Sequence, residues 1–281
     1  MIKKVCLVFL ALVVVLLAAA GVAWKINGER WQQEYAAFRK TGAPVLMYHA
    51  VGPEEGADWP KTLIMKPELF EAHLKYLKEQ GYTIVTVAEL AERLQQGKSV
   101  DKYVALNNHS VVLPILQKYD AKGSFFVINR DIGDELHMNE QEIKELIAAG
   151  MELGSHTYSH NPLAAIDEKY LVWETDTSRY WLKKKFDGYI VRTLAYPNGS
   201  YNDRVIAAAK KYGFYRALTG HVGVNTAATY QKAPFEMYRV TVADDGNGLE
   251  GFKKRLEQAY FFGFLQTKGI DINIVRDIFV R

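Results

Sequence analysis

From Gly42 to about Leu256 the apolar residues keep switching between short runs and stripes at helical spacing, and this alternation constrains the fold more than any other feature of the chain. Pro44–Tyr48 reads as a strand ending at His49. A helix follows over Pro67–Gln80, with Leu69, Phe70, His73, Leu74 and Leu77 on one face and Gly81 stopping it. The pattern then predicts strand Thr83–Val87, helix Ala88–Gln96, strand Tyr103–Leu106, helix Val111–Tyr119 and strand Gly123–Ile128. It continues with helix Glu140–Ala149, strand Met151–Gly154 running into His156, one long helix Asp167–Lys185 and strand Ile190–Tyr196. Helix Asn202–Tyr212, capped by Asn202, strands Tyr215–Thr219 and Met237–Val242, and a helix from Leu249 to about Gln258 complete it. Repeated units of this length predict an α/β domain with a largely parallel sheet, open or closed into a barrel. In such folds the chemistry sits at the carboxyl ends of the strands.

The amino-terminal 25 residues obey a different rule. Lys3 and Lys4 precede an unbroken apolar run, Val5–Trp24, closed by Lys25. The run matches the ~20 residues that a helix needs to cross a bilayer. Ala18-Ala19-Ala20 also offers a small-residue cleavage site, so residues 1–25 are expected to be either a membrane anchor or a cleaved signal peptide. Both export the rest of the chain, which is expected to be extracytoplasmic, with the membrane as a partner in the anchored case. Residues 26–41 read as a helical stalk carrying Trp31, Tyr35 and Phe38. Cys6, the only cysteine, lies in the leading segment, so the exported body has no disulfide. A net charge of +3 with no basic stripe excludes a nucleic-acid partner.

Within the body, Gly154-Ser155-His156-Thr157-Tyr158-Ser159-His160-Asn161-Pro162 is the strongest chemical signal. Two histidines four apart, straight after a strand, can aim both imidazoles at one point on its carboxyl side, and neutral imidazole is a common ligand of divalent transition metals. Such a pair alone is ordinary at surface turns; its strand-end position singles it out.

Several ordered segments resemble the NodB-like polysaccharide deacetylases, carbohydrate esterase family 4. They are Pro44–Val51 (PVLMYHAV), Phe70–Leu90 (FEAHLKYLKEQGYTIVTVAEL), Leu113–Ile128 (LPILQKYDAKGSFFVI), Glu152–His160 (ELGSHTYSH) and Leu194–Asp203 (LAYPNGSYND). The resemblance implies a distorted (β/α) barrel over residues 42–257 and hydrolysis of N-acetyl groups on amino-sugar polysaccharides of cell walls or exopolysaccharides. It further implies zinc or another divalent metal, with His156 and His160 matching the two histidine ligands of the family's H-x-x-x-H motif. In Ala195-Tyr196-Pro197-Asn198-Gly199, which matches R-x-P-Y-G, Asn198 would supply a backbone oxyanion donor and Tyr196 and Pro197 would border substrate. Ala195 stands where an arginine often supports the catalytic aspartate. His49 and His221, each after a strand, are further substrate-binding candidates, whereas His73 and His137 read as surface or helix-face residues.

One motif is missing. Family members carry two aspartates, a base and a metal ligand, in T-F-D-D-G after the strand that here is Tyr103–Leu106. This chain passes directly to Asn107-Asn108-His109-Ser110, as though about seven residues were absent from a connection. His109 is the replacement ligand to consider, since three histidines with an open position make a known zinc site. The family's late acid histidine has no match after Arg239–Val242. Losing base and ligand together implies impaired hydrolysis. The readings left open are a rebuilt enzyme, a glycan-binding pseudoenzyme, an internally deleted deacetylase, and a membrane-tethered scaffold without glycan function. The tail, residues 258–281, matches nothing in the family core, and its alternating Ile270–Ile274 predicts an edge strand.

Overall fold

The structure is a computed structural model that describes residues 28–52, 61–108, 112–134, 137–270 and 273, with the backbone alone at 62, 107 and 108. The leading apolar segment lies outside the described residues, and no helix among those described is long and apolar enough to cross a membrane. The chain divides into two units at Lys40 and Thr41. The first contains helix α1 over 28–39, the expected stalk, with an Arg30–Glu34 ion pair of 2.9 Å along its side.

The second unit starts with strands β1 (Gly42–Ala43), β2 (Val45–Met47), β3 (Ala50–Val51) and β4 (Ile64–Met65), then α2 (Pro67–Glu79), β5 (Thr83–Val85), α3 (Val87–Gln95) and β6 (Tyr103–Asn108). It proceeds through α4 (Leu113–Lys118), β7 (Ser124–Val127), α5 (Glu140–Ala148), β8 (Glu152–Ser155), α6 (Glu168–Val172), α7 (Ser178–Lys185) and β9 (Thr193–Ala195). Helix α8 (Asp203–Lys211), β10 (Arg216–Leu218), β11 (Asn225–Thr226), α9 (Ala227–Lys232), β12 (Val240–Thr241) and α10 (Gly248–Thr267) complete it. The main sheet has the order β10-β9-β8-β7-β6-β2-β12, with β5 also on β6, and its pairings are parallel. Met237, just ahead of β12, bridges Leu218 of β10, so one short segment links the two ends of the sheet.

Local chemistry explains the helix starts. Thr86 and Asn139 close capping boxes with Glu89 and Glu142, and Asn202 accepts from the Val205 N–H. Gly154 lacks a Cβ for a steric reason: one placed there would stand 2.4 Å from the Phe126 ring on β7. The missing side chain leaves that room to Phe126, which is buried in the core with Ala105, Ala195 and Leu218.

Three expectations require correction, and a fourth is decided between its two alternatives. The helix over Asp167–Lys185 is interrupted by a π-turn, Trp173–Thr177. The last helix does not stop near Gln258 but runs to Thr267, because Ala259, Tyr260, Phe264 and Leu265 extend its buried face. In the proposed strand Ile270–Ile274, the described residues Ile270 and Asn273 are not in a strand. His73, read as a surface or helix-face residue, takes the helix-face alternative and is buried there: it is 1% exposed, stacked on Phe252 of α10 at 4.0 Å, with the Tyr48 hydroxyl 3.3 Å from its Nδ1.

Burial lowers the His73 pKa from 6.5 to about 4. Its folded value lies below the unfolded one, so from pH 6.5 down to 4 the unfolded chain takes up a proton that the folded chain refuses. Stability contributed by the neutral ring is therefore complete above about pH 6.5 and falls by about 3 kcal/mol as pH approaches 4. Urea unfolding across this range is expected to show that loss, and His73→Phe to flatten it relative to the native chain. Equal slopes in the two proteins would contradict this assignment.

Candidate functional site

The carboxyl ends of β2, β7, β8, β9 and β12 open onto one groove of ≈ 880 Å³, whose lining includes His49, His156, His160, Tyr196, Asn198 and Arg239. His156 directly follows β8, and its N–H donates to the Val127 carbonyl at 2.8 Å. Its Nδ1 lies 2.7 Å from the Ala195 carbonyl at the end of β9. A carbonyl only accepts, so Nδ1 carries the proton and Nε2 presents a lone pair. That Nε2 stands 3.1 Å from the Nε2 of His160, with the rings at 73°. The two histidines that the sequence singled out thus converge on one point.

Two nitrogens each about 2.0–2.1 Å from a tetrahedral zinc lie about 3.3 Å apart, so the pair fits two positions of such a site. Completion is another matter. Among the described residues no three histidine, cysteine, aspartate or glutamate side chains cluster closely enough to hold a metal. His109, the proposed third ligand, lies outside the described residues. The backbone of β6 continues through Asn107 and Asn108, which pair with Ser124 and Phe125, so the strand is present where the aspartate motif is missing.

The electrostatics of the groove favour neutral imidazoles. Burial, then Arg239 and His160, lowers the His49 pKa to about 4. Burial also lowers His160, where Asp131 and Glu174 pull upward against Arg130 and His137. Tyr196 is fully buried, donates its hydroxyl to the Phe235 carbonyl at 3.1 Å and stacks on Tyr201, so it forms wall rather than offering a free hydroxyl. Asn198 lines the groove from a turn, Pro197–Gly199, in the left-handed region at φ 55°. Pro197 is buried in that turn and does not line the groove. His221 is not a lining residue either; its ring sits 5.9 Å from Tyr201, while its neighbours Gly220 and Val222 face the groove.

A second wall went unpredicted. Arg130, Asp131 and His137 line the groove beyond β7; Arg130 pairs with Asp131 at 2.9 Å, and His137 with Asp134 at 2.7 Å. His137, read as a surface or helix-face residue, is partly exposed and lines the groove. The strand-end rule that selected His156 applies equally to residues 129–131 after β7 and would have found the first two. Arg239, buried and donating from Nε to the Thr219 carbonyl, immediately precedes β12, so the strand-end rule does not reach it.

Comparison with known proteins agrees with this geometry. The polysaccharide deacetylase family model matches residues 100–217. YxkH of Bacillus subtilis (strain 168), named for the polysaccharide deacetylases, is 30% identical over 216 residues, covering 73% of each chain. A poly-β-1,6-N-acetyl-D-glucosamine N-deacetylase of Staphylococcus aureus (strain MSSA476) is 26% identical, over 66% of this chain and 70% of its own. Among solved structures, the Streptococcus pyogenes deacetylase PplD, in complex with acetate, superimposes with a TM-score of 0.66 at 26% identity, over 77% of this chain and 99% of its own. A polysaccharide deacetylase from Bacillus cereus gives 0.67 at 27% identity, over 77% and 69%. The chain belongs to the polysaccharide deacetylase family.

Proposed function

We propose that this chain holds an acetylated amino-sugar polysaccharide, of the poly-N-acetylglucosamine kind, in the groove of a distorted barrel, and that its hydrolysis of the N-acetyl groups is impaired. The observation that carries the reading is the convergent His156–His160 pair inside a groove whose described residues supply no third metal donor. The neutral imidazoles and the Asn198 turn favour contact with uncharged acetamide and hydroxyl groups rather than with an anionic substrate. Arg239 and the Arg130–Asp131 pair are charged groups beside them, suited to orienting sugar hydroxyls. Without the paired aspartates the chain lacks the general base of its family, and binding is the activity left to these residues. The leading apolar run supports an extracytoplasmic location, where such polysaccharides lie.

Titration calorimetry with N-acetylglucosamine oligomers, coupled to an acetate assay, tests this. Binding without acetate release is expected, with affinity about tenfold lower in His49→Ala, a change of about 1.4 kcal/mol. Dialysed protein should retain less than one zinc per chain. Rapid acetate release, or one tightly held zinc, would overturn the impaired reading and point to His109. No binding of any acetylated oligomer would instead favour a membrane-tethered scaffold.

A further inference from the structure

Glu174 is 2% exposed, and its carboxylate lies beneath the loop that joins the two histidines. One oxygen accepts the backbone N–H groups of Tyr158 and Ser159, both at 2.9 Å. The other accepts the Ser159 hydroxyl and, at 3.0 Å, the Asn161 amide. Burial works to raise its pKa, but hydrogen bonds from Ser159, Thr157 and Asn161 outweigh it, so the group is an anion. A buried anion surrounded by donors from one loop is a clamp on that loop.

The loop needs one. Thr157 has φ 71° and His160 φ 62°, both left-handed, and a β-branched residue there is strained. These two backbone kinks turn the chain so that His160 faces back toward His156. The His160 N–H is held by Thr157 Oγ1 at 3.1 Å, and the Thr157 N–H by Ser155 Oγ at 3.1 Å. Ser155 Oγ in turn meets Ser178 Oγ at 3.0 Å, and Ser178 donates to Asn129. Glu174 and Ser178, one helical turn apart, thus grip the loop and the ends of β7 and β8 together.

Placement of Glu174 depends on the π-turn. An extra residue in the turn Trp173–Thr177 shifts the helical phase at that point, and such insertions recur at functional sites. We infer that Glu174 is the positioning residue that holds His160 against His156, and that the π-turn delivers its carboxylate to the loop. Nothing in this depends on whether the groove turns over substrate or binds glycan.

Imidazole nitrogen NMR at about pH 8, where both rings are neutral, tests it on the full chain. In the native protein His156 should show the Nδ1-protonated form, and His160 a hydrogen-bonded Nε2. In Glu174→Ala the His156 Nδ1 signal should persist, because the Ala195 carbonyl holds that ring from the opposite side and reports an intact fold, while His156 Nε2 moves with the loss of its His160 partner. The His160 nitrogens should move to the averaged values of a free neutral imidazole. Glu174→Gln, which keeps one accepting oxygen, should recover part of the native shift, and Ser159→Ala should move His160 in the same direction but less. Native-like His160 signals in a folded Glu174→Ala protein would overturn the inference. Should that variant fail to fold, unchanged His160 signals in both Glu174→Gln and Ser159→Ala would do the same.

Discussion

Insertion of Thr-Phe-Asp-Asp-Gly-Tyr-Glu between Leu106 and Asn107 is expected to give the protein zinc binding near one per chain and measurable acetate release from N-acetylglucosamine oligomers. The register of β6 supports this. Val45, Leu46 and Met47 of β2 pair with Ala105, Leu106 and Asn107, and β7 pairs with Asn107 and Asn108. Inserted Thr and Phe would occupy the positions that Asn107 and Asn108 now fill, which places both aspartates just past the carboxyl end of β6. That is the end of the sheet where His156 and His160 converge. The displaced residues would join the connection to α4, and lengthening a connection costs only about 1 kcal/mol. Restoring both a base and a third donor should raise turnover at least ~10²-fold over the native chain. His156→Ala or His160→Ala in the repaired protein should abolish it. Zinc uptake with no turnover would indict the missing late acid histidine, and absence of zinc uptake would mean that the site has diverged beyond this one gap.

How much of this was legible in the sequence depends on whether a residue's environment is set locally. The strand before the gap, Tyr103–Leu106, could be read from its apolar run and is a strand that extends to Asn108. His156 and His160 could be found because strand-end position and family resemblance both point at them. The π-turn could not: residues 173–177 are compatible with an ordinary helix, and only the needs of a loop brought close by the fold select the other geometry. For His73 the helix face was legible but its burial was not, because the partner on that face, Phe252, is far away in sequence. Arg130 and Asp131 follow β7 as His156 follows β8, so the same strand-end rule reaches them, whereas His137 lies too far beyond β7 for that rule and only the fold brings it to the groove.

Glu152→Leu should be the most damaging single substitution in the described sheet, at about 3–5 kcal/mol, since it leaves a buried charge without its partner. Ser124, Glu152, Thr193 and Arg216 are the first residues of β7, β8, β9 and β10, and they sit in register as Ser124 with Glu152 and Thr193 with Arg216. Glu152 is 8% exposed and Arg216 4%. The Glu152 carboxylate accepts the Ser124 and Thr193 hydroxyls and the Ala88 N–H at the start of α3, and Arg216 Nη1 is 3.8 Å away. Leucine there strands three donors and the guanidinium together. Arg216→Met should cost less, because Glu152 keeps its three hydrogen bonds. The double variant Glu152→Leu/Arg216→Met should be more stable than the sum of the single changes predicts, by about 0.5–3 kcal/mol, because the buried positive charge has gone. Urea unfolding of the three proteins measures each value. A loss below about 1 kcal/mol for Glu152→Leu would show that the guanidinium finds water or another partner once the carboxylate is removed. Because this network lies at the amino ends of the strands and the groove at their carboxyl ends, the folded fraction of each variant should match the native chain in any binding of acetylated oligomers.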